Sequence, residues 1–183
     1  MYMNIVIYGI SVFIIICLLL IWYVNTFNKF QELIIRINES ESSIDSILRK
    51  RFDLLNRSIG IIKANTNTKE DVLDDIVKLR SRKLTNYELD RKLYDSLNEF
   101  DRIKEKHPKL NDSDAFIKIE LGLTESEAEI TACRKYYNDI ITDYNKLSRT
   151  FPSNIVAKIC HYKNKTYFDG KDMDDDIKND MKL

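Results

Sequence analysis

The hydrophobic residues form one dense block at the start of the chain and a regular stripe after it. The block runs from Ile5 to Val24 without a charged side chain. At about 1.5 Å per residue, a helix of this length reaches across the hydrocarbon core of a bilayer. After Phe27, apolar residues recur every three or four positions, which is the spacing of an amphipathic helix. The pattern predicts a membrane-spanning helix followed by a helical body.

A cleaved signal peptide is the alternative interpretation of the apolar block. It requires a basic start, a shorter apolar run and small residues at the cleavage site. The first residues, MYMN, carry no basic side chain, and the run ends in LLLIWYVN, which lacks the small residues. Trp22 and Tyr23 stand where a spanning helix has its aromatic belt. These features favour a retained membrane anchor over a cleaved signal peptide. They also argue against lipoprotein processing at Cys17.

The charges beside the block predict the orientation of the anchor. Lys29 and Arg36 follow it, whereas only the terminal amine precedes it. Basic residues near a membrane span remain on the cytoplasmic side. We therefore expect a single-pass cell-membrane protein, with the lipid bilayer contacted through residues 5–24 and the helical body in the cytoplasm.

The spacing of apolar residues in the body predicts three long helices. The first follows a stripe from Phe27 to Ile62, and the third follows a stripe from Phe116 to Phe151. The second is expected from Val72 to Ile103. Its apolar register changes between Arg80 and Asn86, which we interpret as a kink or a hydrated stretch within one helix.

Polar residues mark the expected helix boundaries. Thr68 and Asp71 resemble a capping box before the second helix, and Pro108 ends that helix. Residues 111–114 contain N-cap candidates for the third helix. A short fourth helix follows Pro152, with Ser153 or Asn154 as its cap.

The dipeptide Tyr-Asn occurs twice in the third helix, at Tyr137-Asn138 and at Tyr144-Asn145. Seven residues are close to two helical turns, so both rings are expected to face a partner helix. The asparagines then lie beside that contact. Phe151 is expected to be the last large contact before Pro152 diverts the chain.

Together these elements predict an all-α protein, in which an N-terminal transmembrane helix is followed by a long antiparallel three- to four-helix bundle with coiled-coil-like spacing. The expected ranges are 1–4 for a short N-terminus, 5–24 for the transmembrane helix, 27–168 for the bundle and 169–183 for a polar tail. If three helices alternate in direction, the first and third run parallel to each other.

Composition narrows the class of function. Lys+Arg and Asp+Glu are both 29, and a formal net charge of +0 provides no field that gathers nucleic acid. Gly 4 and Pro 2 are too few for the many turns of a sheet protein. The cysteines, 3 in number, have no paired spacing, so a disulfide framework is not expected. We expect no cofactor and no nucleic-acid partner.

Several segments of the body are similar to those of one protein family. KRFDLL at 50–55 and HPKLN at 107–111 resemble, respectively, the RRYDLIPNLV segment and the YPDLKAN loop of the LemA family. TESEAEITACRKYYN at 124–138, then DYNKLSRTFPSN and Tyr167-Phe168, look like its third helix and closing segment. The positions that carry the resemblance are Arg51, Phe52, Asp53, Arg134, Tyr137, Asn138, Tyr144, Asn145, Phe151 and Pro152.

The resemblance covers residues from about Phe27 to Phe168. Asn56 and Arg57 depart from it, because they stand where the family has Pro-Asn. The resemblance implies a membrane-anchored helical bundle with no established enzymatic activity. The family includes relatives associated with magnetosome membranes, which suggests scaffolding.

Four charged residues fall on the apolar stripes: Glu41, Arg51, Glu127 and Arg134. A charge inside a helix interface is costly unless it is paired. One interpretation is snorkelling, or pairing within the bundle that fixes helix register. The other is a polar interhelical site for a ligand or cation. With the first and third helices parallel, Glu41 lies level with Glu127 and Arg51 with Arg134, which pairs like charges.

We predict no catalytic site and no metal site. Cys160 and His161 have no second ligand pair to hold zinc, and the chain has no Gly-rich phosphate loop. The aspartates of the tail lack the spacing of a calcium loop. The protein is therefore expected not to be an enzyme.

Two functions remain after these exclusions. The first is a non-enzymatic scaffold or protein-interaction module at the bacterial membrane, which binds an unidentified protein or itself. Tyr87 and Tyr94 are its candidate surface residues, and full burial of both would remove that surface. The alternative is a ligand- or ion-sensing bundle lined by the four stripe charges, which requires a polar cavity.

Overall fold

The computed structural model describes residues 2–66 and 84–169, and these are helical over most of their length, without a strand. The elements, in chain order, are α1 (Tyr2–Thr66), α2 (Asn86–Lys106), a 3-10 helix (Pro108–Asp112), α3 (Asp114–Arg149) and α4 (Ser153–Ile159). The predicted all-α class is confirmed. The expected capping box at Thr68 and Asp71, the first part of the second helix and residues 170–183 lie outside the described residues.

The apolar block and the first amphipathic stripe form a single helix, α1. Asn25 and Thr26 do not interrupt it, because neither residue breaks a helix. The most apolar stretch of α1 has none of its residues buried within the protein. By length and composition α1 can cross a membrane.

The described chain divides into two compact units. The first unit comprises residues 2–38 and 139–167, and the second comprises residues 39–66, 84–138 and 168–169. In the first unit, the ring of Phe30 packs against Tyr144 and Tyr162, with ring centroids 5.7 and 4.8 Å apart. Gln31 of α1 donates a 2.6 Å hydrogen bond to the hydroxyl of Tyr162.

The core of the second unit is built by α1, α2, α3 and the 3-10 helix. Its centre includes a stacked pair of rings, Phe100 and Phe116, with centroids 4.9 Å apart. The remaining buried apolar residues are Ile44, Leu48, Leu55, Ile62, Leu93, Leu110, Ile119, Leu123 and Ile130. These residues follow the three-to-four spacing along each helix, as expected of core-facing stripes.

Contacts between α1 and α3 in the second unit show that these helices are antiparallel. Glu41 of α1 bonds Tyr137 of α3, and Arg51, further along α1, bonds Ser126, which comes earlier in α3. Lys50 pairs with Glu129 in the same register. The expectation of parallel first and third helices is therefore wrong.

Helix α2 runs parallel to α1. Asn86 at the start of α2 bonds the backbone of Glu41, and Asp90 one turn later contacts Arg51. The register change before Asn86, which was interpreted as a kink, is a helix start. Thr85 is the N-cap, and it forms a capping box with Glu88. Because a new helix starts at Asn86, its direction is independent of the segment before it. The prediction that the second helix runs opposite to the first is therefore wrong for α2.

The boundaries of α3 and α4 are partly as expected. Ser113, one of the N-cap candidates, accepts a 3.4 Å hydrogen bond from the backbone N–H of Phe116. The short α4 exists, but Pro152 occupies its N-cap position and the hydroxyl of Ser153 instead donates to Leu147 and Thr150. Phe151 is exposed, so its expected role as the last large contact of α3 is wrong.

Candidate functional site

Arg51 is the largest fully buried side chain among the described residues of the second unit. Its guanidinium lies 2.8 Å from the carboxylate of Glu127 and 3.5 Å from that of Asp90. It also donates to the hydroxyl of Ser126 at 3.3 Å and to the carbonyl of the same residue at 3.1 Å. Because burying an unpaired charge is costly, these partners are what make the position of Arg51 possible.

A second guanidinium, that of Arg134, contacts the other carboxylate oxygen of Asp90. Two arginines and two carboxylates, those of Asp90 and Glu127, therefore form a charge-balanced centre that joins α1, α2 and α3. We call these four residues the arginine centre. Burial lowers the pKa of Arg51, and the charges of Glu127 and Asp90 oppose that effect. Arginine remains protonated at neutral pH, so the centre keeps its charges.

Glu41, the fourth stripe charge, is engaged elsewhere in the second unit. It lies on the surface and accepts a 3.3 Å hydrogen bond from the hydroxyl of Tyr137. Burial, reinforced by the negative charge of Glu41, raises the pKa of Tyr137 to about 12. The structure thus brings Arg51, Glu127 and Arg134 together and places Glu41 with a tyrosine.

Sequence reasoning missed Asp90, the carboxylate that joins the two arginines. The expected stripe of α2 used Leu89, whereas Asp90 is the residue that is buried. Counting back from Phe100 through Leu93 in steps of three and four leads to position 90 as readily as to position 89. A charged residue at a core-facing position of α2 would have indicated a further member of the polar site.

The closing segment of the chain covers one side of Arg134. The ring of Phe168 lies 5.5 Å from the guanidinium carbon of Arg134, a cation–π distance. Tyr87 and Tyr137 contact the same ring edge-on, with centroids 6.0 and 6.3 Å away. Arg134 and the two tyrosines therefore form the pocket in which the ring of Phe168 packs.

The two asparagines of the Tyr-Asn repeat hold the backbone of this closing segment. The side chain of Asn138 accepts a 2.9 Å hydrogen bond from the N–H of Phe168. In the first unit, Asn145 accepts from the N–H of Lys165 at 2.9 Å and donates to its carbonyl at 2.8 Å. The repeat therefore has two structural roles. Its tyrosines pack against other rings, and its asparagine side chains form hydrogen bonds with backbone groups of a segment that has no regular secondary structure to satisfy them.

A groove of about 320 Å³ lies between α2 and α3 beside the arginine centre. Tyr94 stands at its rim, and Glu120 and Glu127 contribute carboxylates. Both carboxylates already have cationic partners, Lys104 and Arg51. Within residues 2–66 and 84–169 no group of three or more histidine, cysteine, aspartate or glutamate side chains is placed to hold a metal ion.

The described residues form an all-α protein with one candidate membrane span among them and a charge-balanced polar core. The model of the LemA family matches residues 40–180, which is most of the chain. This chain belongs to the LemA family. The matched range starts after the apolar block and includes the arginine centre and the closing segment. No curated protein matches the sequence.

Proposed function

We propose that this chain is a single-pass membrane protein whose helical body serves as a non-enzymatic scaffold or protein-interaction module on the cytoplasmic side of the bacterial membrane. The exposed apolar stretch of α1 supports the anchor, because a core helix of that composition would be mostly buried. Lys29 and Arg36, which follow the stretch, support the orientation.

The observation that carries the interaction role is the exposure of Tyr94. Its side chain is 53% exposed at the rim of the groove between α2 and α3. Tyr87, the other candidate, is half-buried against Phe168 and is therefore part of the fold. Large amphipathic rings beside a groove are typical of protein contacts, since they contribute much area at a low cost in conformational entropy.

In-cell photo-crosslinking tests this role. A benzophenone amino acid replaces Tyr94 in the full chain, and a matched control carries it at Asp95, which is exposed on the same helix. We expect adducts at position 94 and few at position 95. A ladder of adducts of the protein with itself indicates a self-assembling scaffold, and one discrete foreign protein indicates an adaptor. Equal labelling at both positions, or none, contradicts the proposal.

The alternative, a ligand- or ion-sensing bundle, has one observation in its favour, the groove itself. Its carboxylates are engaged by Lys104 and Arg51, so a ligand must compete with existing ion pairs. Thermal unfolding of the detergent-solubilised chain with and without divalent cations tests it. Stabilisation that disappears in Glu120→Gln would favour the alternative over the scaffold.

A further inference from the structure

The turn before α4 and α4 itself carry an exposed apolar face in the first unit. Phe151 is 75% exposed, Ile155 43% and Ile159 58%. Ile155 and Ile159 are four residues apart and therefore share one side of the helix. The other side is packed, since Val156 and Ala157 are buried. The exposed face is thus a distinct surface of a well-packed helix, and we call Phe151, Ile155 and Ile159 the α4 face.

The α4 face lies next to the end of the apolar block of α1. Cys160 directly follows Ile159, and its sulfur lies 3.6 Å from the hydroxyl of Tyr23. Tyr23 is in the last turn of the block, where the spanning helix leaves the hydrocarbon core. With the block spanning the bilayer, as proposed above, this contact places the C-terminal end of α4 level with the membrane–water interface of one leaflet.

The segment that contains α4 carries only positive charges. Between Lys146 and Tyr167 the sequence has basic residues and no aspartate or glutamate. The basic residues are Lys146, Arg149, Lys158, Lys163 and Lys165. Lys158 and Lys163, which flank the end of α4, are exposed. A short helix with large apolar residues on one side and lysines around it is typical of segments that lie in the surface of an anionic bilayer.

Since the membrane anchor is part of the proposed function, the following inference rests on it. We propose that Phe151, Ile155 and Ile159 insert into the headgroup–acyl boundary of the leaflet from which α1 emerges, with Lys158 and Lys163 on the anionic headgroups. The protein then contacts the bilayer at two places, through the span and through α4. A lipid surface fits better than a protein because the face is level with the end of the span and surrounded by basic residues.

Depth-dependent fluorescence quenching of the full chain tests this second contact. The protein is reconstituted into vesicles of phosphatidylethanolamine with phosphatidylglycerol, and an environment-sensitive fluorescent amino acid replaces Ile155. One reference variant carries the label at Leu19 in the span, and another carries it at Arg102, which is exposed on α2. Nitroxide groups are placed on the lipids at headgroup depth or deep in the acyl chains.

We expect the label at position 155 to have a blue-shifted emission and to be quenched most by the shallow nitroxide. The label at position 19 should be quenched most by the deep nitroxide, and the label at position 102 by neither. Quenching at 19 but not at 155 overturns the second contact and leaves the anchor intact. A blue shift at 155 without quenching by lipid means that protein covers the α4 face, which also overturns the proposal. Absence of quenching at 19 overturns the anchor itself.

Replacing both flanking lysines distinguishes electrostatic attraction to anionic headgroups from insertion driven by the apolar side chains alone. In the background labelled at position 155, Lys158→Glu with Lys163→Glu should reduce shallow quenching, since anionic headgroups then repel the segment. The same pair should leave the deep quenching at position 19 unchanged. Unchanged shallow quenching at 155 contradicts the role given to the two lysines.

Discussion

Asp90 contacts two guanidinium groups at once, that of Arg51 at 3.5 Å and that of Arg134 through its second oxygen. Arg51 has no exposed side-chain surface, whereas Arg134 is partly exposed. Loss of the shared carboxylate therefore has unequal consequences. Arg134 can turn to water, but the buried Arg51 loses one of its two carboxylate partners and keeps Glu127 alone among the described residues.

Asp90→Asn should therefore destabilise the protein strongly. We expect a loss of about 2–3 kcal/mol in the free energy of unfolding, less than for a fully broken buried pair because Glu127 still faces Arg51. Urea unfolding of the detergent-solubilised chain, followed by helical circular dichroism, measures it. Asp95→Asn on the exposed side of α2 is the matched control and should be close to neutral. Similar losses for both variants would mean that Asp90 does not support the arginine centre.

The raised pKa of Tyr137 predicts a loss of stability in strong alkali. The unfolded chain releases this proton near pH 10 and the folded chain near pH 12, because burial and the charge of Glu41 disfavour the phenolate. The folded state thus binds more protons between these values, and stability falls as pH rises from 10 to 12. Tyr137→Phe should flatten this part of the stability profile. Tyr94→Phe, at an exposed position of α2, is the control, and an identical slope in wild type and Tyr137→Phe would contradict the assignment.

Asn145 should hold the closing segment in place. Asn145→Ala removes both hydrogen bonds to the backbone of Lys165, and we expect it to cost about 1–3 kcal/mol. The more specific measurement is limited proteolysis, since trypsin should cut after Lys165, whose backbone Asn145 holds, more readily once the segment leaves its site. Cleavage there should be faster in Asn145→Ala than in Asn98→Ala, whose asparagine is exposed on α2. Equal cleavage rates would show that Asn145 does not hold the segment.

Apolar periodicity was enough to predict the helices, but not their directions. The apolar block from Ile5 to Val24 and the stripe from Phe27 each correctly indicated a helix, and the structure joins the two as α1. The stripe from Phe116 correctly indicated α3. A stripe shows which side of a helix is covered, and it contains no information on the direction of the neighbour. The start of α2 depended on Thr85 and Glu88, a local capping box that was overlooked in favour of a kink.

The error in direction also explains the error in the candidate site. With α1 and α3 taken as parallel, Arg51 lay level with Arg134 and like charges faced each other. In the antiparallel arrangement Arg51 is level with Ser126 and Glu127, so opposite charges meet. The residue types on the stripes identified three members of the arginine centre. Their pairing required the three-dimensional arrangement and the carboxylate of Asp90.

Two helical glycines provide a test of how closely α1 and α3 approach. Glycine inside a helix is destabilising by roughly 0.5–1 kcal/mol relative to alanine. At Gly60 an added Cβ meets no atom within 4 Å, so Gly60→Ala should stabilise by about that amount. At Gly122 the added Cβ lies 3.1 Å from a methyl carbon of Leu54, so the gain should be smaller.

Gly122→Leu extends the same comparison. A leucine at this position must displace Leu54 and should destabilise the protein, because a packed interface has no spare volume. Thermal unfolding of the variants at both glycines, followed by circular dichroism, gives the order Gly60→Ala, Gly122→Ala, wild type, Gly122→Leu from most to least stable. If Gly122→Ala gains as much as Gly60→Ala, Leu54 yields at no cost. That result would contradict the tight packing of α1 on α3 at Gly122, because the position would then accept a side chain as easily as an exposed helical position does.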